Sequence, residues 1–129
     1  ITPKGEAELI RRYGEFTWIK YMPWDNVPFY QAHQLGTDYS MTADLLAGIG
    51  EIVGCGQRVL SVTDVDESII FHQVPQHGYE WYREMRKVRE MQTSGFGLGI
   101  ERFILWLTHK RDIRDCMLLI RNHSYVSYP

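Results

Sequence analysis

Two carboxylates flank a glycine-rich segment in the middle of the chain. Asp44 and Glu51 are seven residues apart, with Gly48 and Gly50 between them. The glycines predict a sharp turn between two antiparallel strands, which could bring both carboxylates to one face. Paired carboxylates with no basic neighbour in sequence suit a Mg²⁺–triphosphate better than an organic cation. A pair of solvated loop acids is the alternative interpretation.

Two arginines are placed to bind anions. Arg58 ends the same glycine-rich segment, where its guanidinium could bind a carboxylate through two hydrogen bonds. A plain surface arginine is the alternative. Arg102 lies in the first turn of a predicted apolar helix that follows Gly95, Gly97 and Gly99. A cation at this end gains nothing from the helix dipole, so we infer an anionic partner such as a phosphate.

The common nucleotide and zinc motifs do not fit these glycines and histidines. Ile100 stands where a dinucleotide fingerprint that begins at Gly95 needs its third glycine. A phosphate loop of the Walker type needs a glycine before its lysine, and no lysine of this chain follows one. The sequence also has no C-x-x-C pair, and its five histidines are scattered, so zinc is poorly supported.

The predicted strands form hairpins and precede the main helices. Strand patterns are predicted around Phe16–Lys20, on both sides of a loop at residues 36–38, through the glycine-rich segment 48–60, at 94–99 and at Cys116–Ile120. Helices are predicted at 2–13, from an Asp64/Glu67 capping box to His72, at 79–91 and at 100–111. In the third helix, the apolar face is predicted to hold Tyr79, Tyr82, Met85 and Val88. This order predicts an α+β fold with an antiparallel sheet.

Composition limits the classes of function. The 129 residues carry 14 Lys and Arg against 16 Asp and Glu, a net charge of −2, with 44% hydrophobic residues. These values exclude a disordered tail, a coiled coil and a general polyanion-binding surface. No apolar run approaches the length of a membrane span, and we expect no membrane partner. The cysteine pattern predicts two reduced thiols in a cytoplasmic protein. Because the chain begins at Ile1 rather than Met, we expect further residues upstream.

Several spaced motifs, in order, resemble one family. SGFGLGIER at 94–102 matches the third signature of class II aminoacyl-tRNA synthetases at every fixed position from Gly95 to Arg102. GIGEIVGCGQR at 48–58, with Asp44 before it, resembles the preceding segment of the aspartyl/asparaginyl branch. YEWYREMRK, SGFGLG and the later DIRD are most similar to the asparaginyl members. The resemblance covers about residues 15–121.

The resemblance implies a fold, a reaction and a set of roles. It implies a six-stranded-type antiparallel sheet flanked by helices, which binds bent ATP and activates an aspartate- or asparagine-like amino acid as its adenylate. Asp44 and Glu51 would hold Mg²⁺–ATP, and Arg102, as the catalytic residue, would contact the γ-phosphate. Gly97 and Gly99 would form the floor of the ATP site, because side chains there would collide with the nucleotide. Arg58 would bind the amino acid.

The extent of the chain leaves alternatives open. We expect residues 1–129 to be a single domain, the C-terminal part of a catalytic domain without an anticodon-binding domain, or else a degenerate paralogue. The motif 1 dimer helix and the motif 2 arginine that would hold the α-phosphate are not in these residues. The full-length protein is expected to be a homodimer that charges tRNA or makes a free amide or modified amino acid. A binding or scaffold module without catalysis, or an inert proteolytic fragment, is the alternative.

Departures from the family pattern leave the substrate open. Gln92-Thr93 replaces a Pro-His pair that lies near the amino acid in relatives, and Val88-Arg89 replaces a tyrosine-glycine turn. Cys55 replaces a glycine. Leu119-Ile120-Arg121 replaces a Phe-Pro-Arg ending.

Overall fold

The computed structural model describes residues 1–120 as four helices and a four-stranded sheet. The helices are α1 (Pro3–Tyr13), α2 (Val62–Phe71), α3 (Glu80–Val88) and α4 (Ile100–Thr108). The strands are β1 (Thr17–Lys20), β2 (Thr42–Ala47), β3 (Gly50–Gln57) and β4 (Ser94–Leu98), in the sheet order β1-β2-β3-β4. The predicted α+β class with an antiparallel sheet is confirmed. None of the helices among these residues is long and apolar enough to span a membrane.

Local capping explains where the first two helices begin. Thr2 caps α1, since its Oγ1 accepts from the Gly5 amide at 3.2 Å and Pro3 occupies the first turn. The capping box of α2 is formed by Ser61 and Asp64, each side chain accepting from the other residue's amide. The predicted Asp64/Glu67 capping box was therefore wrong, and α2 begins one turn earlier.

Two predicted strands are absent from the described chain. Between β1 and β2, Gln31 and His33 form only isolated bridges, to Arg58 and Ser40. The predicted strand Cys116–Ile120 is also absent, and the segment Ile113–Cys116 is a 3-10 turn. Asp112 starts that turn, because its Oδ1 accepts from the Arg114 amide at 3.0 Å. Arg121 in the predicted ending lies outside the described residues.

The chain divides into two compact units. The first unit comprises Ile1–Thr17, Leu45–Val53 and residues 98–120, and the second comprises Trp18–Asp44 and Gly54–Gly97. In the first unit, Trp106 packs edge-on against Phe16 and donates its ring N–H to Glu15 at 2.7 Å. The core of the second unit is built by buried apolar residues from three segments: Phe29, Val59, Val65 and Ile69.

The buried face of α3 differs from the predicted one. Tyr79 and Tyr82 pack against the core of the second unit, as the periodicity indicates. Val88, however, is 87% exposed and Met85 is 43% exposed, whereas Arg86 is only 2% exposed. Arg86 donates to the Met91 carbonyl at 2.7 Å and to the Thr93 hydroxyl at 3.0 Å. These acceptors pair both terminal nitrogens of the guanidinium, while among the described residues its Nε has no partner. The paired arginine, rather than the last apolar residues, therefore occupies the interior.

Candidate functional site

In the first unit, the start of β3 is a point where polar groups converge. Gly50 has a φ of +112°, in the region that side chains disfavour. The next amide, that of Glu51, donates to Oε2 of Glu6 at 3.3 Å. A Cβ on Gly50 would lie 2.6 Å from that same oxygen and 3.5 Å from Nη2 of Arg102. Glycine at position 50 thus allows a carboxylate and a guanidinium to approach the backbone beside Glu51.

The start of α4 positions Arg102. The Gly99 amide donates to the Ile52 carbonyl at 3.1 Å, and the Gly99 carbonyl accepts the first helical hydrogen bond, from Phe103. A Cβ on Gly99 would touch the Arg102 side chain at 3.4 Å. Arg102 therefore lies back over Gly99 while remaining exposed, as an anion-binding arginine needs to be. Of the predicted site residues, the first unit contains Glu51, Gly99 and Arg102.

In the second unit, Arg58 is the predicted site residue with the most constrained surroundings. Its guanidinium lies over the Tyr30 ring, 4.8 Å from the centroid, and Nη2 would be 3.0 Å from a Cβ on Gly95. The Arg58 amide donates to the Thr93 carbonyl at 2.8 Å. Among the described residues, Nη1 is buried and has no hydrogen-bond partner. A buried donor of a charged group is costly to leave unpaired, so this position favours a ligand oxygen.

Gly97 and Asp44 are the other predicted site residues of the second unit. A Cβ on Gly97 would meet nothing within 4 Å, and its φ is not positive. Neither packing within the described chain nor backbone conformation requires glycine there, so the space above it is free for a ligand. Asp44 lies on β2 and is half-buried.

Cavities in the second unit also reach these strands. A cavity of about 230 Å³ is lined by Arg58 together with polar and aromatic side chains, among them Trp24, His33, Asp64, Glu67 and Gln92. A larger cavity of about 560 Å³ is lined by Lys20, Cys55, Ser94 and Phe96, among others. The Cys55 thiol there donates to the Ala43 carbonyl at 3.0 Å. That contact accounts for Cys55 as a packed side chain.

Sequence reasoning missed two residues of these surroundings. Tyr30 stacks with Arg58 from 28 positions away, and Glu6 contacts Glu51 from 45 positions away. No periodicity or spacing connects residues so distant in sequence. The charged pattern of α1 gave no sign that Glu6 differs from Glu8, which bonds to Arg11 and Arg12 on the helix surface.

Two of the predicted site residues, Asp44 and Glu51, carry carboxylates of the kind that bind Mg²⁺. Within residues 1–120, no three His, Cys, Asp or Glu side chains converge as a metal cage. Mg²⁺ commonly uses one or two carboxylates and completes its shell with substrate phosphates and water. Glu51 belongs to the first unit and Asp44 to the second, and each is a ligand of the type that Mg²⁺ uses.

Comparison with known proteins identifies relatives along almost the whole chain. The family model described as tRNA synthetases class II (D, K and N) matches residues 5–123. An asparagine--tRNA ligase of Pelotomaculum thermopropionicum is 33% identical over 115 residues, which cover 87% of this chain and 27% of that protein. An asparagine--tRNA ligase of Wigglesworthia glossinidia brevipalpis is 37% identical over 111 residues, which cover 85% of this chain and 24% of that protein.

The structural comparison agrees with the family match. The asparaginyl-tRNA synthetase from Pyrococcus horikoshii superposes with a TM-score of 0.90 at 27% identity, covering 100% of this chain and 31% of that one. The chain spans about a quarter of the length of these curated relatives, and 27% of the first of them. On this coverage, the chain belongs to the class II tRNA synthetases of the D, K and N type.

Proposed function

We propose that the chain supplies part of an ATP-dependent amino-acid-activating site. In this reaction the carboxylate of an aspartate- or asparagine-like amino acid attacks the α-phosphorus of ATP, so that an aminoacyl-adenylate forms and pyrophosphate leaves. The observation that carries the proposal is Arg58, with a buried, unpaired Nη1 beside the Tyr30 ring. Such a donor suits a carboxylate or carboxamide oxygen, which is the group that an amino acid of this class offers.

The nucleotide would be bound by the residues around β4 and α4. Arg102, exposed at the start of α4, would contact the γ-phosphate. Gly97 and Gly99 would lie under the nucleotide, and Asp44 and Glu51 would hold Mg²⁺, which neutralises phosphate charge when bound. In this arrangement the side chains bind and orient the two substrates, and no proton transfer by a side chain is required.

Similarity to proteins that act on asparagine supports this substrate class. An asparaginyl-tRNA synthetase from Entamoeba histolytica, solved in complex with asparaginyl-adenylate, superposes with a TM-score of 0.84 at 28% identity over 92% of this chain and 28% of that one. We extend this to a full-length protein that is a homodimer in the cytoplasm, within which residues 1–129 form the C-terminal part of the catalytic domain. Its acceptor is tRNA in one version of the proposal. In the other, the product is a free amide or a modified amino acid.

The test is pyrophosphate exchange into ATP, measured with each amino acid on the full-length protein that carries this chain. We expect exchange with asparagine or aspartate. Arg58→Lys should raise the KM for the amino acid by roughly 10- to 100-fold, because an ammonium cannot replace the planar guanidinium. The KM for ATP should change little in that variant.

Arg102→Ala provides the complementary variant. We expect it to weaken ATP binding while leaving amino acid binding largely unchanged. Absence of exchange with every amino acid would contradict the enzyme proposal. A scaffold, in contrast, would keep its partner and lose nothing when Arg102 is replaced.

A further inference from the structure

We propose that Glu6 is a positioning residue for the triphosphate end of the site. It would act by holding the backbone at Glu51 and by providing a negative neighbour for Arg102. This inference rests on the proposed function, because Glu51 and Arg102 are the groups that we assign to Mg²⁺ and the γ-phosphate. Glu6 itself would not touch the nucleotide.

The first observation is the contact between α1 and the start of β3. Oε2 of Glu6 accepts from the Glu51 amide at 3.3 Å and lies 2.6 Å from the point that a Cβ on Gly50 would occupy. A residue with a side chain at position 50 would displace this carboxylate. The backbone φ of +112° also disfavours any residue other than glycine there. The glycine and the carboxylate are therefore matched to each other.

The second observation is the proximity of Arg102. Its Nη2 lies 3.5 Å from that same point on Gly50. The guanidinium and the Glu6 carboxylate thus converge on one glycine in the first unit. In this proposal the charge of the Glu6 carboxylate favours one position of the guanidinium before the nucleotide arrives, and preorganised groups bind a ligand with less loss of freedom.

The third observation is that hydrogen bonds fix the backbone of α1 at Glu6. The Glu6 amide donates to the Thr2 carbonyl at 3.0 Å, and the Thr2 hydroxyl caps the Gly5 amide. Glu6 is therefore in the first turn of a capped helix, so that the carboxylate extends from a fixed backbone. Glu8, two residues on, instead forms surface ion pairs with Arg11 and Arg12. Glu8 therefore provides a control on the same helix.

The experiment compares Glu6→Ala and Glu6→Gln with Glu8→Gln in the full-length protein. Two quantities are measured: the Kd of ATP over a titration of Mg²⁺, by calorimetry, and hydrogen exchange of the Glu51 amide. We expect Glu6→Ala to raise the Kd of Mg²⁺–ATP roughly tenfold, as loss of partners behind metal ligands commonly does. Exchange at Glu51 should become faster, and Glu8→Gln should match the wild type in both measurements.

Glu6→Gln separates the hydrogen bond from the charge and serves if Glu6→Ala does not fold. Its amide oxygen still accepts from Glu51, so slow exchange should persist, while loss of the charge near Arg102 should raise the Kd of ATP several-fold. Unchanged ATP binding in both Glu6 variants would overturn this inference alone. A wild-type protein that binds no ATP would overturn the proposed function, and the inference with it.

Discussion

Arg58 and Arg102 have opposite surroundings, although both are predicted to bind anions. Arg58 is half-buried between Tyr30 and Gly95, and within residues 1–120 its Nη1 has no partner. Arg102 is exposed and lies over Gly99. A buried, pre-formed donor suits a small substrate that must be discriminated, whereas an exposed guanidinium suits a mobile phosphate. The resemblance implies that Arg58 binds the amino acid and Arg102 the nucleotide, and this difference in burial supports that proposal.

Gly97 gives the sharpest prediction at the scale of a residue. Gly97→Ala should weaken ATP binding roughly tenfold, because forcing a methyl group into a filled site costs about 1–3 kcal/mol. The free protein should keep its stability within about 0.5 kcal/mol, since the added methyl meets nothing within 4 Å. Calorimetric titration with ATP and chemical denaturation measure the two effects.

Gly78→Ala is the matched control for this variant. Gly78 also has no neighbour within 4 Å of its Cβ position and no positive φ, and it lies in the turn Gln76–Gly78. It should bind ATP as the wild type does. Equal ATP affinity for the Gly97 and Gly78 variants would refute the placement of the nucleotide above Gly97.

At the scale of elements, α3 positions the segment that leads into β4. Arg86 of α3 reaches forward to the Met91 carbonyl and the Thr93 hydroxyl. The Thr93 carbonyl in turn accepts from the Arg58 amide. Thr93 is one of the two residues at which the resemblance led us to expect a Pro-His pair. One buried arginine therefore holds the segment in which the sequence was expected to depart from the family pattern.

Replacing Arg86 should therefore destabilise the second unit. Arg86→Lys is expected to lower the free energy of unfolding by about 2 kcal/mol, because one ammonium cannot bond to both the Met91 carbonyl and the Thr93 hydroxyl. Urea denaturation measures this. Arg89→Lys, at an exposed position just after the same helix, should stay within about 0.5 kcal/mol of the wild type. Similar losses in both variants would contradict a special role for Arg86.

At the scale of the whole molecule, we expect three carboxyl groups paired with arginines to contribute to the response to acid. Hydrogen bonds from Arg114 lower the pKa of Asp112 from 3.8 to about 2. The pKa of Asp66 is lowered by its hydrogen bonds to Arg83, and that of Glu8 by hydrogen bonds to Arg11 and then Arg12. A carboxyl group with a lower pKa in the folded state contributes stability above its unfolded pKa. That contribution is lost as the pH falls through the folded value.

The protein should therefore lose stability between about pH 4 and pH 2, the interval between the two values for Asp112. The free energy of unfolding, measured by urea titration at each pH, should decrease over this interval. Replacement of Asp66 and Asp112 together by Asn should lower stability at neutral pH and make the acid loss less steep. A slope identical to that of the wild type would show that other groups control the acid response.

Local signals were enough to predict most helices and strands. The glycine turn before β3 and the alternating glycines before α4 act through residues only a few positions apart, and the observed elements agree. The Asp64/Glu67 capping box and the strand expected before residues 36–38 were wrong. The end of α3 and the strand Cys116–Ile120 were also wrong, and there apolar residues were expected inside a face or strand. In α3, packing selected a hydrogen-bonded arginine over apolar residues of suitable spacing.

In the candidate site, too, some residues were predicted from the sequence and others were found only in the tertiary structure. Residue types and spacing pointed to Asp44, Glu51, Arg58 and Arg102, whereas Gly97 and Gly99 came from the family resemblance. The roles of all six residues stay predictions. Tyr30 under Arg58 and Glu6 beside Glu51 emerged only from the tertiary structure. These contacts join residues 28 and 45 positions apart, so they depend on the tertiary fold of the chain. Such contacts produce no periodic pattern in the sequence, because each one joins only two residues.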